Sequence, residues 1–338
     1  MPESQVVAGV ALAVLGGVLN GLFALPMKLM PRWRWEHTWL VYSVVAMAVF
    51  PWVVALFFTP HLGQLIHEAP LALICGFGFA WGVSAVAFGL ALVRLGLGLG
   101  LALMLGLQAG LGSLVPMVVL RPHSLGTRSG HFVLAGNAVL IVGICLCACA
   151  GHLREKQHRG QMYHQAGRSA LLVGLLLAVI SAVFGSAMNF SFAFTGGIQQ
   201  RAVEFGASPA MASMSVWALT VSSGFIANAG YCLWKIGRTG WGHFAIPHSA
   251  PYWVGGIAMG VLWFGGLIAY GVGGSRLGPA AAVIGWPVLM GASIITSNLT
   301  GWLLGEWRDT GRRCAAYLVT GIVVILTSIV VIAQGGAL

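Results

Sequence analysis

Residues 78 to 96 read GFAWGVSAVAFGLALVRLG, and residues 260 to 278 read GVLWFGGLIAYGVGGSRLG. At this offset of 182, Gly78, Trp81, Gly89 and Arg94-Leu95-Gly96 recur as Gly260, Trp263, Gly271 and Arg276-Leu277-Gly278. Both stretches lie in long apolar runs, of which ten can be marked: Val6–Leu25, Trp39–Phe58, Leu71–Val93, Leu97–Leu120, Phe132–Ala150, Leu171–Phe194, Pro209–Leu233, Trp253–Val272, Pro279–Leu304 and Cys314–Ile332. Each is near the ~20 apolar residues that carry a helix across a hydrocarbon core. No barrel-like alternation appears, so helices are the spanning structure. The echoed stretches occupy the third and eighth runs, and five crossings between them turn the second copy upside down. A shorter echo, Leu12-Ala13-Val14 with Leu177-Ala178-Val179, relates the first and sixth runs. The expected fold is an all-α integral membrane protein of ten transmembrane helices in two inverted five-helix repeats. Residues 1–150 form the first repeat, 151–168 a cytoplasmic connecting loop, and 169–338 the second.

Composition points the same way. Of 338 residues, 58% are hydrophobic and 7% charged, where a soluble domain carries roughly 25% charge. Seventeen Lys and Arg against seven Asp and Glu leave a formal charge of +10. The basic residues sit between apolar runs or at their edges, so they suggest membrane-surface loops and not a nucleic-acid patch. Odd-numbered loops hold thirteen of them: Lys28, Arg32, Arg34, Arg94, Arg154, Lys156, Arg159, Arg168, Lys235, Arg238, Arg308, Arg312 and Arg313. Even-numbered loops hold Arg121, Arg128, Arg201 and Arg276. Basic loops stay in the cytoplasm, which puts both termini on the outer (periplasmic) face. The start, Met1-Pro2-Glu3-Ser4-Gln5, lacks the basic segment of a signal peptide, so the first run reads as an uncleaved span.

Two opposed, similar halves can expose one central site to each side in turn, which favours a carrier. A channel needs a continuous polar pore, and no run carries a charged stripe. An enzyme needs a nucleophile–base pair or a metal set. Cys145, Cys147 and Cys149 imitate a metal cluster, but only Cys145 and Cys149 share a helix face, and no His, Asp or Glu joins them. The glycines at 96, 98, 100, 106, 110 and 112 imitate a dinucleotide fingerprint without its strand, and they read as close helix packing. No enzyme, metal site or cofactor is therefore expected. Asn20, Gln108, Asn189, Asn228 and Asn298 each lie in a different run. Such carboxamides either bond neighbouring helices or converge on an uncharged polar solute. Trp81, Trp217, Trp263, Trp286 and Tyr270 lie deep, where they either pack the core or cover the apolar face of a sugar. The substrate-binding candidates are Asn20, Gln108, Asn189 and Asn228 for hydroxyls, with Trp81, Trp263 and Tyr270 as ring surfaces.

Several segments resemble the L-rhamnose–proton symporter family of the drug/metabolite transporter superfamily. They are Pro26-Met27-Lys28, Trp33-Arg34-Trp35-Glu36-His37-Thr38-Trp39, Pro51-Trp52 and Glu306-Trp307-Arg308-Asp309-Thr310-Gly311-Arg312-Arg313, with Trp81-Gly82, Arg94-Leu95-Gly96, Asn228, Trp263 and Tyr270 between them. The resemblance covers nearly the whole chain and implies inverted five-helix repeats. It further implies proton-coupled uptake of a 6-deoxyhexose such as L-rhamnose across a bacterial inner membrane. Trp263-Phe264-Gly265-Gly266 and Trp286-Pro287-Val288-Leu289-Met290 depart from the family pattern, which has a Gln after the first Trp and a His in the ninth span. Proton symport needs a titrating group, and no acidic residue lies mid-span. Glu36, among Trp33, Trp35 and Trp39, and then Glu204 are the coupling candidates; Glu306 and Asp309 are expected to neutralise Arg308, Arg312 and Arg313. The alternatives are an exporter of small amphipathic metabolites and a non-transporting membrane sensor or scaffold.

Overall fold

A computed structural model describes residues 2–159, 168–308 and 310–337. The middle of the connecting loop and Asp309 lie outside the described residues. Among those described there are no strands. The helices are α1 Glu3–Leu22, α2 Trp35–Ser43, α3 Phe50–Phe58, α4 Leu62–Glu68, α5 Leu71–Leu120, α6 Arg128–Arg159, α7 Arg168–Phe194, α8 Gly196–Glu204, α9 Met214–Thr239, α10 Ala250–Leu277, α11 Ala281–Leu303 and α12 Arg312–Ala337. Nine helical segments among the described residues are long and apolar enough to cross a membrane. One of these, Ala250–Leu303, holds both α10 and α11. The chain is an all-α, multi-pass membrane protein.

The third and fourth apolar runs form one backbone helix, α5, without the expected break at Arg94. It is not straight. A Cβ on Gly100 would lie 3.7 Å from the Leu92 Cα, whereas eight residues of straight helix cover about 12 Å. The chain therefore doubles back within α5. Glycine-rich sequence permits the bend where no proline enforces one. The short helices α4 and α8, not expected from the sequence, pack Leu65 against Ile198 and Ala202.

Prolines inside spans set a second feature. Each removes one N–H from its helix and frees the carbonyl four residues earlier, and lipid offers that carbonyl no partner. Pro51 frees the Met47 carbonyl, where a π-turn, Val44–Val49, joins α2 to α3. Ser222 of α9 donates to that carbonyl at 3.0 Å. Pro116 frees Gly112, which accepts from Asn189 of α7 at 2.7 Å. Pro287 frees Val283, which accepts from Ser113 of α5 at 2.6 Å. Each orphaned carbonyl is met by a polar side chain from another helix, so these kinks fix neighbours as well as bends.

Helix contacts recur in pairs. Gly9 of α1 meets Leu277 of α10, where an added Cβ would fall 2.6 Å from Cγ. Gly174 of α7, 165 positions later, meets Leu95 of α5, the residue 182 positions before Leu277, at 2.7 Å. Gly16 abuts the Gly266 carbonyl, and Ser181, again 165 positions on, donates to the Ser84 carbonyl at 3.2 Å. Loop contacts also sort by number. Glu306 binds Lys28 and Arg154, the Gly311 N–H donates to Gln157, and His37 lies 3.0 Å from the Gly240 carbonyl. These join loops one, five, seven and nine at one end. At the other, Arg201 binds Glu68 and Arg276 binds Gln5.

Candidate functional site

A cavity of about 470 Å³ opens among α1, α5, α6, α7, α9, α10 and α11, within the size range of small-ligand sites. Trp81 and Trp263, equivalent positions of the sequence echo, stack there with centroids 5.3 Å apart and planes 25° apart. Stacked on each other, they form a continuous wall and not two jaws. Trp286 and Tyr270 meet edge to face at 6.2 Å on another wall. Polar groups enter from Asn20, Gln108, Ser293, Ser297 and Asn298, among apolar side chains such as Leu105, Ile144, Leu267 and Leu289. Such a lining suits a neutral ligand with hydroxyls on one part and an apolar face on another.

Toward the even-loop end the cavity is stopped by aromatic rings. Phe192 stacks on Trp217 at 5.3 Å with planes 5° apart and packs on Tyr270 at 5.1 Å. Trp217 and Tyr270 line the main cavity, while Phe192 lines a second, of about 300 Å³, that also holds Arg121, Gln199 and Ser213. The three rings divide the two spaces. Toward the odd-loop end the main cavity reaches Arg154, Glu306 and Trp307.

Five of the seven substrate candidates line this cavity: Asn20, Trp81, Gln108, Trp263 and Tyr270. Asn20 donates to the Gly16 and Trp263 carbonyls, each at 3.3 Å, and Gln108 donates to the Gly185 carbonyl at 3.3 Å. The structure places the other two in helix junctions. Asn189, fully buried, donates to the Gly112 and Ala282 carbonyls at 2.7 and 2.9 Å and accepts the Tyr270 hydroxyl at 2.5 Å. It therefore holds a cavity residue from behind. Asn228, also buried, accepts from Trp39 at 3.1 Å and donates to the Gly224 carbonyl at 3.1 Å. Ser293 and Ser297 were not chosen from the sequence, although their spacing of four places them on one face of α11.

Asn189→Ala would strand the Gly112 carbonyl, which Pro116 leaves without a helical donor, and the Tyr270 hydroxyl, each stranded group costing ~1–3 kcal/mol. A clearly lower melting midpoint is expected, with weaker ligand binding through a released Tyr270. A variant that melts with the native protein would refute this role.

Neither coupling candidate lines the cavity. Glu36 is buried on α2, 3.8 Å from Lys235. Glu204, half exposed, binds Arg201 at 2.7 Å, and Arg201 also binds Glu68 at 2.8 Å. The Arg201 hydrogen bond holds the Glu68 carboxyl below its ordinary range. A lowered carboxyl contributes its tie above the unfolded pKa and loses it only as pH falls through the folded one, so this surface link fails only in acid. Glu306 differs from the sequence expectation. Its partners are Lys28 and Arg154 from distant segments, and it lines the cavity.

A family model described as L-rhamnose-proton symport protein matches residues 2–337. The chain belongs to this family. It is 26% identical over 346 residues to the L-rhamnose-proton symporter of Cronobacter sakazakii, with 99% of each chain covered. It is 25% identical over 347 residues to that of Salmonella typhi, again with 99% of each covered. The L-rhamnose-proton symport family is one of transporters and not of enzymes, as the lack of a catalytic set in the sequence led us to expect.

Proposed function

We propose that this chain imports L-rhamnose or a related 6-deoxyhexose, with protons, by alternating access across a bacterial inner membrane. The observation that carries the reading is the central cavity, where echoed tryptophans meet and carboxamides face rings. A 6-deoxyhexose offers hydroxyls to Asn20 and Gln108 and a methyl group and ring face to the aromatic wall. The names of its relatives support the sugar and the coupling ion.

Ten spans in two inverted repeats, divided at the connecting loop, complete the proposal. Paired contacts at offsets of 165 and 182 support it, since a duplicated unit packs twice in the same way. Odd loops meeting at one end and even loops at the other support alternate crossings by every run. With the basic loops inside, both termini lie on the outer face. The aromatic layer of Phe192, Trp217 and Tyr270 is then the outer closure, and the larger cavity extends toward the cytoplasmic end.

Thermal melting of purified protein against a sugar panel tests the ligand. A ligand at about 100 times its Kd stabilises the folded state by ~2.7 kcal/mol, so L-rhamnose should raise the midpoint while D-glucose leaves it. Labelled L-rhamnose uptake into proteoliposomes, with and without an inward-directed proton gradient, tests coupling. Equal uptake in both removes the symport reading. Stabilisation by bulky apolar compounds alone would favour the exporter, which the apolar part of the cavity could serve.

A further inference from the structure

We propose that Glu306 carries the coupled proton, an inference that rests on the symport reading above. Among the described residues Glu306 is the sole acid lining the main cavity. It reaches that wall because α11 ends at Leu303 and the chain turns through Gly305, at φ +79°. Gly301 leaves room for the carboxylate, which would lie 3.0 Å from an added Cβ. The side chain is one-third exposed, so it touches both the cavity and water at the odd-loop end.

Its partners give protonation a mechanical consequence. Lys28 follows α1, and Arg154, 2.8 Å from Oε2, sits near the end of α6. Arg154 also lies over the Trp307 ring at 4.7 Å, which fixes the guanidinium beside the carboxylate. Arg308, on the same turn, packs over Gly305 and adds positive charge. One carboxylate thus ties α1, α6 and the α11–α12 turn at the mouth of the cavity. A proton that moves from cavity water onto Glu306 gives the neutral acid and cancels both ion pairs together. The end of α1 is then free to part from α6 and the turn, which the Gly311–Gln157 hydrogen bond still joins, and loss of that proton to the cytoplasm re-forms the ties. Proton movement and opening of this end become one event. Glu36 and Glu204 lack the required contact with the substrate space.

The test uses labelled L-rhamnose in proteoliposomes of full-length protein. Native protein should show gradient-driven accumulation, and sugar exchange at equal pH on both sides. In Glu306→Gln, accumulation should fall to simple equilibration while exchange stays within about twofold of native. Arg154→Gln breaks one pair and keeps the carboxylate, so it should still accumulate sugar, with its pH profile moved to higher pH. The proposal is overturned if Glu306→Gln still accumulates sugar. It is equally overturned if that variant loses exchange too, or if Arg154→Gln loses accumulation as completely, because the pair would then be only a structural tie. Absence of gradient-driven uptake in native protein would instead defeat the symport reading itself.

Discussion

Trp81→Ala is expected to weaken L-rhamnose binding by about 30- to 1,000-fold, equivalent to ~2–4 kcal/mol for loss of a buried aromatic anchor. Trp81 is half-buried with its ring on the cavity. Its removal takes away ring surface for the sugar and also the stack on Trp263. The stack is worth ~0.5–1.5 kcal/mol beyond burial, so the facing ring loses its position as well. Trp81→Phe keeps a smaller π-face in place and should recover much of the affinity. Leu at the same position restores volume without a π-face and should not. The measurement is the sugar concentration that gives half-maximal thermal stabilisation, which separates binding from coupling. If the alanine variant binds L-rhamnose with native affinity, this wall does not form the site.

How much of this was legible beforehand follows from which signals are local. Span existence depends on apolar length, and the observed helices cover all ten apolar runs with shifted ends. The largest difference is at Arg94, where glycines let the backbone stay helical through a reversal. Orientation of a side chain around a span was harder to read. In a helix apolar on every side no stripe distinguishes core from lipid, so Asn20 and Asn189 looked alike in sequence. One reaches the cavity, and the other serves a carbonyl freed by Pro116. A proline four residues after a small residue announces that need but not the helix that supplies the donor. Glu306 fails for the same reason. Its sequence neighbours are Arg308, Arg312 and Arg313, but its ion pairs reach back to Lys28 and Arg154, contacts that only the fold creates. The echoed tryptophans were legible as a sequence repeat, whereas their stacking on one another is a contact between α5 and α10 that only the fold creates.

Gly78→Ala should destabilise the protein strongly, whereas Gly76→Ala, two residues away on the same helix, should not. Helices in lipid gain little from hiding apolar surface, so their association depends on close backbone approach and van der Waals contact. At Gly78 that approach is extreme, because an added Cβ would meet the Thr220 carbonyl of α9 with no intervening space. Gly82, one turn on, faces the Gly224 carbonyl at 2.5 Å. No rotamer relieves a clash with backbone, so α5 and α9 must separate, at ~1–3 kcal/mol or more for overpacking. Separation also moves Trp81, whose ring lies against Gly224, so ligand binding should fall together with the melting midpoint. Gly76 is exposed with nothing near its Cβ position. There alanine gains up to ~1 kcal/mol of helix propensity. Gly260, the echo of Gly78, is wedged against Val45, with Cβ contacts of 2.6 Å. Gly260→Ala should therefore repeat the Gly78 result where α10 crosses the π-turn Val44–Val49. If duplicated halves pack by one rule, the two variants lose stability together and Gly76→Ala does not follow them. A Gly78→Ala protein that melts with the native one would mean that α5 and α9 are not held by this contact.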